Sequence, residues 1–402
     1  MKKVNGNILC SDKMTPENMG ILSSFSNFLP SSNSYIALLG FCDVHVHFRE
    51  PGFSYKGTVK AGSLASAKGG YTAVCTMPNL NPVPDTKEHI EEEIRIIERD
   101  AVIDVYPYAS ITKEQKGETL SDMDELSSLS IAFSDDGRGV QNASLMEEAM
   151  LKAKALGKII VAHCEDNSLL RGGYIHDGEY AKEHGHKGIC SESEWGPIKR
   201  DIDLIRKTGC AYHVCHISTK ESVELIRNAK KEGLNITCET APHYLVLDDS
   251  CLEEDGRFKM NPPLRSEEDK EALIAGILDG TIDMIATDHA PHSVEDKSKG
   301  LENSAFGIVG IETAFSVMYT HFVKTGIITF EKLEELLAIN PRKRFNIPIE
   351  NAGFSVWNLN EEFTVNPEEF ISLGKATPFK DMKLFAKNVL TYHRGKAVYK
   401  CN

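Results

Sequence analysis

From residue 35 onward the chain alternates between short apolar, β-branched runs and longer segments with helical spacing. The runs fall at about 35–44, 71–77, 101–109, 129–134, 158–163, 210–216, 234–240 and 282–287. Continuous apolar runs this short are the pattern of strands buried on both faces. Between most of them, apolar positions recur every three or four residues. Asn142–Leu156 is the clearest case, with Leu145, Ala149, Ala153 and Leu156 on one face and Gly157 as a stop. Lys220–Lys231 and Ser266–Leu278 follow the same period, and Ser266-Glu-Glu-Asp269 has the spacing of a capping box. Strands alternating with helices predict a parallel sheet in an α/β protein. Eight such units suit a closed (β/α)8 TIM barrel better than an open doubly wound sheet.

The flanks have a different texture. Residues 1–34 are polar and turn-rich, with one weak strand expected near Val4–Cys10. After the eighth run comes a long helical region, Gly310–Lys324 followed by Thr329–Ile339. From Asn346 the pattern turns to short strand-like pieces such as Phe354–Leu359 and Ala397–Tyr399. The expected organisation is therefore a barrel over 41–345 and a small accessory β domain built from 1–40 and 346–402. No low-complexity tract or internal repeat interrupts it.

Composition narrows the function classes. A chain of 402 residues with 41% hydrophobic content can bury a large core. A net charge of −14 disfavours nucleic acid or an anionic membrane as a general partner, though not a local cationic pocket. No apolar run reaches the roughly 18 residues of a membrane span. The N-terminus lacks a basic-then-apolar leader pattern. A soluble, cytoplasmic protein is expected. The ten cysteines form no Cys-x-x-Cys and fall partly inside apolar runs, as small hydrophobes in a reducing compartment do.

Chemistry collects where the strands end, the face on which such barrels carry their sites. The first strand closes on Asp43-Val-His45-Val-His47-Phe-Arg49. Alternation puts His45 and His47 on one face, and Glu50-Pro51-Gly52 then breaks the strand. Alone, a His-x-His is most often the solvent face of an ordinary strand. Later runs, however, end in Met77-Pro78-Asn79, Phe133-Ser134-Asp135-Asp136-Gly137, Ala162-His163-Cys164-Glu165-Asp166, His213-Val214-Cys215-His216, Glu239-Thr240-Ala241-Pro242-His243 and Ala286-Thr287-Asp288-His289-Ala290-Pro291-His292. Four imidazoles and two carboxylates converging on one mouth are costly unless cations compensate them, so a two-metal site is predicted. Other histidines drop out. His184-Gly-His186 lies in a glycine-rich charged loop, and His89, His321 and His393 are isolated. His213, three before His216 on one strand, is expected to face the helix layer. His243 and His289 stay open, an outer role orienting the ligands being one reading of them. Serine-hydrolase elbow, Walker A and dinucleotide fingerprints are absent from the sequence.

These strand ends, together with Gly69-Gly70-Tyr71-Thr72-Ala73-Val74-Cys75-Thr76-Met77-Pro78-Asn79, His213-Val214-Cys215-His216-Ile217-Ser218-Thr219 and Asn261-Pro262-Pro263-Leu264-Arg265, resemble the successive motifs of the dihydroorotase family. The likeness is to its bacterial class I branch, within the amidohydrolase superfamily, and spans about 41–345. It implies two zinc ions, one held by His45 and His47 and the other by His163 and His216. Asp136, preferred to Asp135 for its spacing to His163, would bridge them, and Asp288 would be both ligand and general acid/base. Arg49, Asn79 and His292 would hold a substrate carboxylate, with Asn261 and the Phe306-Gly307 backbone against the ring. The implied reaction is the reversible cyclisation of N-carbamoyl-L-aspartate to dihydroorotate in pyrimidine synthesis. The partner is thus a small molecule, and a second copy of the chain, as a homodimer, is the one protein partner carried forward. Hydantoinase, dihydropyrimidinase and allantoinase relatives use a carboxylated lysine where this sequence has Asp135-Asp136. They and a metal-free scaffold protein are the alternatives. The sequence departs from the family pattern at Leu39, Leu80 and Tyr244, none an expected ligand.

Overall fold

The computed structural model describes residues 1–4, 8–26, 29–30 and 32–401. Eight parallel strands close into a barrel: β1 (Phe41–Val46), β2 (Tyr71–Thr76), β3 (Asp104–Pro107), β4 (Phe133–Ser134), β5 (Ile159–Ala162), β6 (Ala211–Val214), β7 (Ile236–Thr240) and β8 (Met284–Ile285). β1 to β3 form one sheet and β4 to β8 another. Parallel bridges from Ala109 to Phe133 and from Val46 to His289 join the two into a ring. Every strand lies inside an expected run or within two residues of it, usually shorter.

The reason for the barrel is visible in its filling. Cys42 and Val44, Ala73 and Cys75, Tyr108, Ala132, Val161, Cys215, and Met284 and Ala286 form one buried interior cluster, on which Phe345 and Ile347 pack. Nearly every strand contributes, so the ring is a packed core and not a pore. The outward residues join the larger cluster beneath the helices. Helix starts are sealed as the sequence suggests. The side chains of Thr58, Thr86, Asn142 and Thr219 each accept a backbone N–H of the first turn. Ser266 and Asp269 form a reciprocal capping box. Each such cap is worth about 1 kcal/mol.

The first apolar run, expected as one strand, is two. Tyr35–Leu39 belongs to a six-stranded accessory sheet, and the barrel begins at Phe41. Between them a side chain at Gly40 would lie 2.2 Å from both the Ala352 carbonyl and Thr72 Oγ1. Only glycine lets the chain pass from one sheet to the other there. The accessory sheet orders Lys2–Val4, Ile8–Cys10, Tyr35–Leu39, Phe354–Thr364, Lys383–His393 and Lys396–Lys400. Of the strand expected near Val4–Cys10, residues 5–7 lie outside the described residues; the pieces on either side pair antiparallel. A helix at Pro16–Ser26 was not expected, and it buries only Leu22. The long helical region starts at Ala314 and widens to i→i+5 bonding at Tyr319–Val323 and Glu335–Ile339. Trp357 of the accessory sheet packs at a tilt against Phe315, ring centres 4.1 Å apart, and Phe41 stacks with both. No helix among the described residues is long and apolar enough to cross a membrane.

Candidate active site

All six expected ligands meet at the carboxyl ends of the strands. Asp136, two residues past β4, stands at the centre. Its Oδ1 lies 3.3 Å from His45 Nε2 and 3.6 Å from both His163 Nδ1 and His216 Nε2. Its Oδ2 lies 3.5 Å from His47 Nε2. Asp288 Oδ1 is 3.1 Å from His47 Nε2 and 3.5 Å from His45 Nε2. Asp135 turns away: its carboxylate accepts the backbone N–H groups of Ile111 and Thr112 and the Thr112 hydroxyl. Asp136 is thus the acid that faces all four imidazoles.

The backbone bends to make this possible. Between Asp43 and Val46, β1 carries an extra residue against β2, a bulge that re-aims its end. Arg49, His216 and Asp288 adopt positive φ of 62°, 30° and 48° where their strands stop. Such a conformation costs roughly 1–2 kcal/mol for a residue with a Cβ, and three occurrences at one mouth mark it as a functional site.

The donor set fits divalent cations. His45 Nε2 and Asp136 Oδ1 are buried without a hydrogen-bond partner among the described residues, at the point where the ligand atoms converge. The atoms of His45, His47 and Asp288, and those of His45, Asp136 and His216, form two groups in which all lie within 4.8 Å of one another. Imidazole nitrogen with carboxylate oxygen is a typical zinc environment. Burial alone would raise both carboxyls, but the surrounding imidazoles hold Asp136 and Asp288 well below the usual carboxylate range. For His45 burial works against a positive charge, and the Asp136 charge overrides it. The cluster asks for positive charge at its centre.

Outer partners fix which nitrogen faces inward. His45 Nδ1 donates to Glu239 Oε1 at 2.8 Å, and His47 Nδ1 to Asn79 Oδ1 at 2.8 Å, so each Nε2 is left for the centre. Glu239 is buried, and its bonds to His213 and His45 outweigh burial and bring it down to about 2. His213 corrects the expectation that it faces the helices. Its Nε2 is 3.1 Å from Glu239 Oε2, and its ring meets Phe345 edge-on inside the barrel. The parity argument failed because β6 ends at Val214 and the positive φ at His216 breaks the alternation. His289 acts through its backbone. Neither ring nitrogen has a partner among the described residues, and its contribution is a carbonyl that accepts the His47 N–H. His243 lies buried with its ring against Tyr244 and Nε2 equally unpartnered.

A cavity of about 180 Å³ opens above this centre. It is lined by His47, Asp136, His163, His216 and Asp288, and by Arg49, Asn79, Asn261, His292, Phe306 and Gly307; His45 lies fully buried beneath. The Arg49 guanidinium donates to the Pro291 carbonyl at 3.2 Å and meets His292 Nε2 at 3.1 Å. Burial lowers it to about 10, and it forms no ion pair with any carboxylate among the described residues. Burial, with Arg49 and Lys56 nearby, pushes His292 down to about 3, so its ring is neutral. Asn261 donates its amide to Glu165 Oε1 at 2.7 Å, which leaves its carbonyl oxygen free to accept.

Known proteins share this arrangement of chain. A family model described as Dihydro-orotase-like matches residues 35–222. The dihydroorotase of Fusobacterium nucleatum is 53% identical over 380 residues, covering 93% of this chain and 89% of its own. The dihydroorotase of a Geobacillus strain is 50% identical over 368 residues, 90% of this chain and 86% of its own. The chain belongs to the dihydroorotase family. Its fold extends to hydantoin-ring enzymes. The L-hydantoinase of Arthrobacter aurescens superposes with a TM-score of 0.80 at 25% identity, covering 92% of this chain and 86% of that one. A dihydropyrimidinase from Brevibacillus agri gives 0.77 at 20% identity, covering 91% and 85%, a likeness of fold alone.

Some residues that shape this dihydroorotase-family site stand within the strand-end motifs, but their spacing does not say what they do. Asp43 accepts Thr287 N–H and Oγ1–H together with His45 N–H, and so ties the end of β1 to that of β8. Burial raises it to about 7. Glu239 and Glu165 do comparable work for His45 and Asn261. Glu239 stood at a noted strand end, but nothing in its spacing says which imidazole it serves.

Proposed function

We propose that this protein is a zinc-dependent dihydroorotase that interconverts N-carbamoyl-L-aspartate and (S)-dihydroorotate in pyrimidine synthesis. Its family membership supports a hydrolase acting on cyclic amides. The observation that carries the substrate is Arg49: a buried guanidinium with no carboxylate ion-pair partner among the described residues, opening on the cavity beside the carboxylate–imidazole centre. A buried cation of this kind needs an anion, and a substrate carboxylate meets its planar fork in two parallel bonds. Hydantoin, dihydropyrimidine and allantoin rings lack that group.

Two zinc ions would be held by His45, His47, His163, His216, Asp136 and Asp288. Bound there, they supply a water that ionises near neutral pH and a Lewis acid for the carbonyl. The remaining work belongs to the chain. Arg49, Asn79 and His292 take the carboxylate and fix the ring in one orientation. The free carbonyl of Asn261 accepts a ring N–H, while the Phe306-Gly307 backbone bounds the opposite side. As water attacks the ring carbonyl, a C–O bond forms and the ring C–N bond breaks. Asp288, held charged by His47 and His45, takes the water's proton and passes it to the departing nitrogen. Run backwards, the same groups close the ring. The expected setting is the cytoplasm, with a homodimer as the expected assembly.

The test is an assay of dihydroorotate beside dihydrouracil. Dihydroorotate should be turned over at least about a hundredfold more efficiently, because a site built around a buried cation rejects a ring that leaves it unpaired. Equal turnover would assign the protein to the neutral-ring enzymes. Arg49→Lys keeps the charge and loses the fork. It should weaken substrate capture by roughly 1.5–3 kcal/mol, seen mainly in KM. Unchanged kinetics would remove Arg49 from carboxylate binding.

A further inference from the structure

Lys297 closes the short helix Val294–Lys297 and is only 7% exposed. Its ammonium forms no ion pair with any carboxylate among the described residues. Instead it donates to three main-chain carbonyls: Lys259 at 3.0 Å, Ala305 at 2.7 Å and Gly307 at 2.7 Å. Three donors meeting three acceptors is the full capacity of an ammonium group. Carbonyl dipoles aimed at one point repel one another unless a cation sits between them.

Those carbonyls belong to the two backbone arms of the pocket. Asn261 follows Lys259 by two residues, and Phe306 and Gly307 line the cavity themselves. The arms also bond directly, from Gly307 N–H to the Lys259 carbonyl at 3.1 Å. The Lys259 side chain adds a bond to the Glu302 carbonyl and lies over the Phe306 ring, 4.5 Å from its centre. A Cβ at Gly307 would stand 3.1 Å from His292 Nε2, so a small drift of this arm reaches the expected carboxylate site. Lys297 itself does not line the cavity.

We propose that Lys297 is a positioning residue: its ammonium clamps the 259–261 and 305–307 arms together and thereby sets the affinity for substrate. The substrate in that statement rests on the proposed dihydroorotase reading; the clamp does not. Burial and the neighbouring Lys259 bring Lys297 down to about 7, against the opposing pull of Asp255 and Asp296; the neutral His292 lies on the same side. Above that pH the amine keeps two protons for three carbonyls, and the clamp loosens.

Backbone hydrogen exchange of the wild-type chain between pH 6 and 9, corrected for intrinsic rate, tests this. Protection at Gly307 and its neighbours should fall as pH passes 7, while the barrel strands stay unchanged. Lys297→Met should exchange at least about tenfold faster in both arms and nowhere else. Its KM for dihydroorotate should rise on the order of tenfold with kcat within about threefold, the loss expected for a charged hydrogen bond. Lys297→Arg should recover part of both. Wild-type exchange and KM in Lys297→Met would overturn the clamp. Should that variant not fold, Lys297→Gln, which can keep at most two of the three bonds, decides, and wild-type exchange in both arms of that variant overturns the clamp. A wild-type chain inert toward dihydroorotate would overturn the functional reading, and exchange alone would then judge Lys297.

Discussion

Asp288→Asn should fold normally and lose between about a hundredfold and ten-thousandfold in turnover, the usual contribution of a positioned acid–base group. Asparagine has nearly the same shape and tolerates the positive φ of 48° that this strand end imposes. The amide can still sit beside His47, so much of the metal should stay. What it cannot do is accept a proton. Ring opening and ring closing should fall together, because in the proposed mechanism the same group carries the proton both ways. If more than a few per cent of the wild-type rate survives in either direction, Asp288 is not the proton carrier.

Asp136→Asn should act on the centre itself. One oxygen of this carboxylate lies within 3.6 Å of nitrogens from His45, His163 and His216, and the other 3.5 Å from His47. A neutral amide there removes the charge that draws cations among four imidazoles. Metal content should fall to half or less of what the wild-type chain holds, one ion or fewer if the proposed pair is present. Activity should drop by more than about a hundredfold, beyond the loss typical of an outer partner. Asp135→Asn is the matched control. That side chain caps the Ile111–Thr112 turn, so its replacement should lower stability while leaving metal content intact. Two ions and a wild-type rate in Asp136→Asn would show that the central carboxylate does not bridge.

Much of this architecture was legible beforehand because it rests on local periodicity. The eight apolar runs hold the eight barrel strands, and the two-residue spacing at the end of β1 set His45 and His47 together, ring centres 5.4 Å apart. The Ser266–Asp269 capping box was likewise a matter of spacing. Failures came where geometry departs from the regular strand. The run through Gly40 reads as one strand because the apolar residues continue on both sides of it, although the two halves serve different sheets. His213 was assigned to the wrong layer because no pattern announces that His216 leaves the strand with positive φ.

The order of strands and helices, the two-residue spacing on β1, and a ligand type at nearly every strand end are properties of the linear chain, since each depends on neighbours a few positions away. Closure of the barrel decided the rest. It brought Glu239 under His45 across 194 positions, Glu165 to Asn261, and Asp136 rather than Asp135 into the centre. A carboxylate's role depends on which groups surround it in space, and sequence distance carries no record of that.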